Sequence, residues 1–292
     1  MRNNQTASFY PNLTDMLKAI INDIAENILK EGQPIVIVGD YSWYREVLSL
    51  FAKQVNLCDS CILLLENGME QEAYLLARSQ FNNMLWIKYI CSDTDNEKVK
   101  EYFYQSHISQ IRNSSSFKKM LEDFEGELDE RFDKESMMLS LDSSIEENKE
   151  ILRRENIPNK VKTVAELSRQ DGTAFGMYIT LYNEGSKFEH SEISKTKKYR
   201  KKVIDGYTED QVFTIDLGSS NKDEWFTVFR YSLMCVFFAF SSLYERIKTR
   251  ENHLFDESPN GKIYLRESFE QIHLKLFCCM QMLEKAEQNI DE

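Results

Sequence analysis

The segment Trp225–Tyr244, WFTVFRYSLMCVFFAFSSLY, decides the fold class because it is apolar on almost every side of a helix. Its length would allow a helix to cross a membrane. However, Arg230 and several serines interrupt it, and charged residues crowd both of its ends. A helix that is apolar all round is also typical of the centre of a soluble bundle. We therefore predict that this segment is a buried central helix.

The composition of the whole chain also favours long helices. The 292 residues include only 10 glycines and 4 prolines, whereas average usage would give about 35 of the two together. Apolar residues make up 42 % of the chain and aromatic residues 12 %, which is enough for thick layers between helices. We predict an all-α fold in which residues 1–292 form a single multi-helix bundle.

Local capping signals set several of the predicted helix ends. Asp40 or Ser42 can begin a helix that runs to Glu66, and Asn67-Gly68 is a typical helix end. Asn221-Lys-Asp-Glu224 has the spacing of a capping box for the central helix, which we extend to Arg250. Further apolar repeats at helical spacing predict helices over residues 12–31, 69–90, 99–111, 160–168, 173–190 and 264–287.

Two regions depart from this pattern and are predicted to be insertions in the bundle. Residues 115–155 are rich in Glu, Lys and Leu, and we expect a charged helical arm that projects or packs at the edge. Residues 195–220 are a basic loop in which Val203-Ile204 and Val212–Asp216 flank Asp205-Gly206. This weak alternation predicts one small β-hairpin.

The overall charge argues against a protein that coats duplex nucleic acid. The net charge is -12, and phosphate binding over a wide surface needs a broad positive field. The local exception is the run from residue 195 to 202. Its cations could hold phosphates while Tyr199 stacks on a base, or they could form a solvated loop that balances the acidic residues 122–149. The predicted nucleic-acid contacts are Lys195, Lys197, Lys198, Arg200 and Lys201.

The cysteines are predicted to be buried thiols. Cys58 and Cys61 have the spacing of half a zinc site or of a redox pair, but the adjacent Cys278 and Cys279 cannot supply the matching half. We therefore expect no metal and no cofactor. The first residues are polar and contain no apolar run of the kind found in signal peptides, so we expect a cytoplasmic protein with no membrane partner.

A possible polar site lies on one helix face. Tyr182, Ser186 and His190 follow one another at four-residue steps, which places them on the same side of a helix. An imidazole with its ordinary pKa of about 6.5 can transfer protons near neutral pH. Arg78 and Asn82 form a second polar pair in an otherwise apolar helix. The alternative for both groups is a structural role, with hydrogen bonds that close a helix end or tie two helices together.

Several common catalytic motifs are missing from the chain. It contains no phosphate-binding glycine loop, no nucleophile elbow, no His-Glu-x-x-His pair and no dinucleotide fingerprint. Kinase, P-loop ATPase, zinc protease and Rossmann functions are therefore not expected.

The segment Asn67–Ser79, NGMEQEAYLLARS, resembles a helix of an uncharacterised bacterial all-helical family. In that family a later segment carries Tyr, Ser and His at four-residue steps, as Tyr182, Ser186 and His190 do here. The arrangement is loosely similar to the HEPN (higher eukaryotes and prokaryotes nucleotide-binding) superfamily. This resemblance implies a helical bundle, often a homodimer, that acts as a metal-independent ribonuclease in toxin–antitoxin or phage-defence systems.

The HEPN site pairs an Arg with a His, with four to six residues between them. Arg246 and His253, at the charged end of a helix, have that spacing here, but no Arg precedes His190 in this way. We therefore hypothesise that Arg78 supplies the cation for His190 from a neighbouring helix. His190 would transfer a proton, Arg78 would hold the phosphate, and Ser186 and Tyr182 would orient the imidazole. The expected partners are RNA, a protein partner or a second copy of the chain. The alternative function is a non-catalytic helical scaffold or interaction module, in which the same Arg/Ser/His group is structural.

Overall fold

The computed structural model describes residues 10–33, 35, 42–126, 128–189, 199–203, 212–215, 221–255 and 263–288, without the side chains of residues 187–189, 201 and 202. The α-helices in this part of the chain are α1 (Pro11–Asn27), α2 (Trp43–Glu66), α3 (Glu70–Cys91), α4 (Glu97–Asp123), α5 (Lys134–Arg154), α6 (Val164–Ser168), α7 (Gly172–Met177), α8 (Asn183–Glu189), α9 (Lys222–Arg250) and α10 (Arg266–Gln288). The prediction of an all-α fold is confirmed. The strands Arg200–Lys202 (β1) and Phe213–Ile215 (β2) pair antiparallel, with Lys201 opposite Thr214.

The core is a layer of α2, α3 and α9, flanked by α1 and α10. The prediction for Trp225–Tyr244 is confirmed, because Trp225, Phe229 and Phe240 on α9 are fully buried. By length and composition alone, α2 and α9 could each cross a membrane. In this fold 50 % of the apolar window of α2 and 56 % of that of α9 is buried inside the protein.

The turn from α2 to α3 follows the predicted capping signals. The Ser42 hydroxyl accepts a hydrogen bond from the backbone N–H of Arg45 and so begins α2. At the other end Asn67 caps the helix, and Gly68 adopts a left-handed φ of +64°. Glycine takes this conformation without the steric cost that a side chain brings. The three residues 67–69 therefore suffice to reverse the chain and to lay α3 antiparallel to α2.

Ion pairs connect neighbouring helices near the surface of the bundle. Lys18 of α1 bonds to the Glu66 carboxylate at the end of α2 at 2.6 Å, and Lys275 of α10 bonds to Asp23 of α1 at the same distance. At the start of α9 the Asn221 side chain accepts hydrogen bonds from the backbone N–H groups of Asp223 and Glu224. The predicted start of α9 is therefore confirmed.

Helices α4 and α5 form an antiparallel pair with a small apolar cluster of their own. That cluster consists of Tyr104, Ile108, Ile111, Ile145 and Leu152. Helix α4 runs to Asp123, well beyond the predicted end at Ile111. Residues 115–155 thus comprise the far end of α4, a turn, and α5, and Lys118 meets Asp142 across the pair at 2.5 Å.

Candidate functional site

The helical segment from Gly172 to Glu189 contains a π-turn, Tyr178–Tyr182, between α7 and α8. A helix was predicted over this range, but the sequence did not indicate the irregular turn within it. The turn accompanies a row of aromatic rings. Phe175 and Tyr178 stack at 6.4 Å between centroids, and Tyr178 and Tyr182 stack at 5.2 Å. Such π-turns are frequent at functional sites.

The structure brings Arg78 and Tyr182 together at the end of this row. The guanidinium carbon of Arg78 lies 4.4 Å from the centre of the Tyr182 ring, within the range of a cation–π contact. The close approach of α8 to α3 depends on Gly185. A Cβ atom at that position would lie 3.1 Å from Cδ of Arg78. Ser186 follows directly and is half-buried, as Arg78 is.

Helix α3 presents a polar stripe on the side that carries Arg78. Gln71, Arg78 and Asn82 are seven and four residues apart, so they lie on one face of the helix. The side-chain oxygens of Gln71 and Asn82 are buried and accept no hydrogen bond from any described residue. Buried polar atoms are almost always hydrogen-bonded in native proteins. Two such acceptors on either side of an arginine indicate a place where a polar ligand or ordered water could bind.

The predicted catalytic residues and the predicted nucleic-acid contacts are only partly within the described residues. His190, Lys195, Lys197 and Lys198 lie outside them. Lys201 is the middle residue of β1.

The end of the basic run approaches α3 through Tyr199 and continues into the hairpin through Arg200. The Tyr199 hydroxyl donates to the Glu72 carboxylate on α3 at 3.1 Å. Burial, followed by the negative charge of Glu72, raises the pKa of this phenol, which therefore keeps its proton. The Arg200 guanidinium lies 5.2 Å from the Phe213 ring across the hairpin. One described end of the basic run is thus attached to the helix that carries Arg78.

A second polar cluster, which the sequence analysis missed, lies inside the core. The Gln80 side-chain oxygen accepts from the Ser232 hydroxyl at 3.0 Å and from the Gln54 amide at 3.4 Å. Asn83 donates to the backbone oxygen of Leu50 and to the Gln54 side chain. The four polar side chains involved are buried, so the cluster fixes α2, α3 and α9 against one another rather than facing a ligand. In the sequence, this cluster is indicated only by polar residues at positions on otherwise apolar helix faces.

Cys58 and Cys61 lie beside this cluster and are fully buried. Burial raises the pKa of Cys61 to about 12 and raises that of Cys58 as well. Both thiols are therefore protonated, whereas metal binding and thiol chemistry need thiolates. The interpretation of Cys58 and Cys61 as buried thiols agrees with this geometry. Among the described residues, no group of three or more His, Cys, Asp or Glu side chains could hold a metal ion.

Arg246 is a buried cation whose structural role was not predicted from the sequence. Its guanidinium lies 4.5 Å from the Trp43 ring and donates to the backbone oxygen of Asp93, which Arg250 also contacts. This oxygen lies just beyond the end of α3, where a positive charge is favourable. Glu251 lies 3.9 Å from Arg246 and 3.7 Å from the exposed His253. Arg246 thus has a clear structural role, and a shared carboxylate connects it to His253.

Comparison with known protein families identifies a family that covers more than half of the chain. Residues 44–206 match a family described as "Family of unknown function (DUF5677)". This range contains every residue predicted for the candidate site and ends before α9, so Arg246 and His253 lie beyond it. No curated protein and no solved structure shows significant similarity to the chain. The expected relation to an uncharacterised family agrees with the match, while the similarity to HEPN proteins stays a prediction.

Proposed function

Since the chain belongs to the DUF5677 family, whose members share no assigned activity, we propose its function from the site itself: a HEPN-like protein that binds single-stranded RNA and cleaves it without a metal. We place it in the cytoplasm, within a toxin–antitoxin or phage-defence system. The observation that carries the proposal is the cation–π contact of the Arg78 guanidinium with Tyr182 at the end of an aromatic row.

This geometry supports binding of unpaired bases and their phosphates. Aromatic rings stack on unpaired bases, and each such contact contributes about 1–3 kcal/mol. At the outer end of the row Phe175 is 38 % exposed and offers a ring face to a base. A guanidinium in contact with a ring keeps the planar set of donors that matches a phosphate. The buried acceptors of Gln71 and Asn82 could take hydrogen bonds from ribose hydroxyls or base amino groups. The basic strand β1 adds positive charge along the path of the RNA.

The cleavage step uses the 2′-hydroxyl of the RNA. His190 takes the proton from this hydroxyl, and the 2′-oxygen forms a bond to the neighbouring phosphorus. The bond from phosphorus to the 5′-oxygen breaks, and this oxygen leaves with a proton from solvent. Arg78 offsets the charge that develops on the phosphate. The products are a 2′,3′-cyclic phosphate and a 5′-hydroxyl.

The proposal is tested with a fluorescent single-stranded RNA, by anisotropy for binding and by gel analysis for cleavage. Tyr182→Leu removes the ring, and we expect at least tenfold weaker binding. Tyr182→Phe keeps the ring and is the matched control, with binding unchanged. His190→Ala should bind RNA normally and lose cleavage. Normal binding by both Tyr182→Leu and Arg78→Gln would rule the proposal out.

A variant of His253 tests where the chemistry takes place, because Arg246 and His253 have the spacing of the HEPN pair. We expect His253→Ala to cleave at the wild-type rate. Loss of cleavage in His253→Ala, with His190→Ala active, would move the reaction to the group of Arg246, Glu251 and His253. RNA binding by Tyr182 would then have to be separate from the catalytic centre.

The scaffold function is the second candidate, and one observation favours it. The stem of Arg78 is packed beneath Gly185, so the residue also ties α8 to α3. If this is its only role, Arg78→Met, which keeps most of the stem, would retain stability and the protein would bind no RNA. Measuring both the thermal unfolding of Arg78→Met and its affinity for RNA therefore separates the two functions.

A further inference from the structure

Helix α10 has two apolar faces, and only one of them is used within the described fold. The inner face packs against α1 and α9 through Phe269, Ile272, Leu276, Cys279 and Leu283. On the opposite side Leu274 is 60 % exposed, Phe277 47 % and Met282 43 %. We call Leu274, Phe277, Cys278 and Met282 the outer stripe. Apolar residues clustered on an exposed helix face commonly mark an interaction surface.

The residues around the outer stripe are self-complementary. From the midpoint between Phe277 and Cys278, Leu274 and Gln281 are equally far away in the two directions, as are Glu270 and Lys285. The acidic residues Glu267 and Glu270 precede the stripe, and Lys285 follows it. A contact between two identical copies about a two-fold axis needs a patch that matches itself in this way.

We propose that two copies of the chain associate through the outer stripe, with their α10 helices antiparallel. Phe277 of one copy then lies against Cys278 of the other, close to the two-fold axis. Glu270 of each copy faces Lys285 of the other, so the same ion pair forms twice. A parallel arrangement would instead bring like charges together.

The charges set the direction of the pairing, and the apolar residues supply most of its free energy. Exposed ion pairs contribute little by themselves. One helix pair is smaller than the roughly 800 Å² per partner of a standard interface. The dimer is therefore expected to dissociate in the micromolar range.

The first test is sedimentation equilibrium of the full chain over a wide concentration range. We expect a reversible monomer–dimer equilibrium that Phe277→Glu weakens at least tenfold. Leu63→Glu, at a position on α2 that is 58 % exposed, is the matched control and should leave the equilibrium unchanged. A monomer at all concentrations, or a Phe277→Glu variant that dimerises normally, would overturn the proposal. Circular dichroism of each variant shows that its fold is retained.

The second test uses the charges, and needs no apolar substitution. Glu270→Lys and Lys285→Glu should each weaken the dimer, because each places like charges opposite one another. An equal mixture of the two variants should form a heterodimer more tightly than either variant pairs with itself, since both ion pairs are then restored. A mixture that shows no preference for the heterodimer would contradict the antiparallel pairing.

The third test is oxidative crosslinking, for which Cys278 is the natural reporter. It is the only described cysteine that is not buried. Mild oxidation should join two chains through Cys278, and Cys278→Ser should abolish the product. Efficient crosslinking in the Cys278→Ser variant would place the contact elsewhere and overturn the proposal.

Discussion

The centre of the bundle and the α4–α5 arm are both helical, yet their side chains are used differently. In the centre Phe51, Phe229 and Phe240 are fully buried, and the polar groups among them are joined by hydrogen bonds. In the arm Phe117 is 42 % exposed, and charged pairs such as Lys118 with Asp142 lie at the surface.

This difference indicates where the stability of the protein resides. Burial of apolar surface is the main favourable contribution to folding, whereas exposed ion pairs contribute little. The centre therefore determines whether the chain folds, and the arm can vary at small cost. The candidate site lies between these extremes, because Arg78 is half-buried against a helix that packs on the centre.

The largest effect is expected from a truncation in the centre. Phe51 is fully buried on α2, and its ring lies 6.2 Å from that of Phe240 on α9. We expect Phe51→Ala to lower the free energy of unfolding by about 3–5 kcal/mol, because the lost burial and the cavity act together. Urea denaturation followed by circular dichroism measures this.

The control for that comparison is Phe117→Ala in the arm. The two substitutions remove the same atoms, but Phe117 is 42 % exposed whereas Phe51 is fully buried, so a much smaller loss of about 1 kcal/mol is expected. Equal losses in the two variants would show that the contrast between centre and arm is incorrect.

A smaller effect on the free energy of unfolding is expected from alkaline pH, and it also arises from side chains in the centre. Burial raises the pKa of Cys61 to about 12 from the usual 9.0, and it raises that of Cys91 equally far. The unfolded chain loses these protons first, so stability is complete below pH 9 and falls as the pH rises towards 12. Each thiol contributes a slope of about 1.4 kcal/mol per pH unit.

Urea denaturation at pH 8, 9 and 10 tests this linkage. The free energy of unfolding of the Cys61→Ala variant should fall less steeply with pH than that of the wild type, because about one fewer proton is released on unfolding. No cysteine lies in the arm between Glu97 and Arg154, so substitutions there should leave the slope unchanged. An equal slope in Cys61→Ala and in the wild type would mean that this thiol is accessible to solvent in the folded protein.

The features that the sequence predicted are those that residues adjacent in the chain determine. The ends of α2 and the start of α9 were predicted because Ser42, Asn67-Gly68 and Asn221 act on residues next to them. The central position of α9 was predicted from its apolar composition alone. In these elements the local signal and the final structure agree.

The features that were missed depend on contacts between distant segments. The bond from Ser232 to Gln80 joins residues 152 positions apart, and Arg246 reaches Asp93 across 153. The pairing of Arg78 with Tyr182 was expected only in part. The sequence indicated a shared polar site. However, the cation–π contact and the position of Arg78 next to Gly185 depend on the packing of α8 on α3.

The smallest effect is expected from shortening the arm, which also tests whether residues 115–155 are an insertion. The Lys118 ammonium nitrogen lies 2.5 Å from an Asp142 carboxylate oxygen, so α4 and α5 run side by side here. A short turn can therefore replace residues 122–138 and keep both this pair and the buried Leu121. The apolar cluster around Tyr104, Ile108 and Ile145 remains in the shortened protein. We expect the helical signal to fall while the free energy of unfolding changes by less than about 0.5 kcal/mol. A loss above about 1 kcal/mol would show that the far end of the arm unfolds cooperatively with the centre, and the distinction between the two regions would then be one of appearance and not of energy.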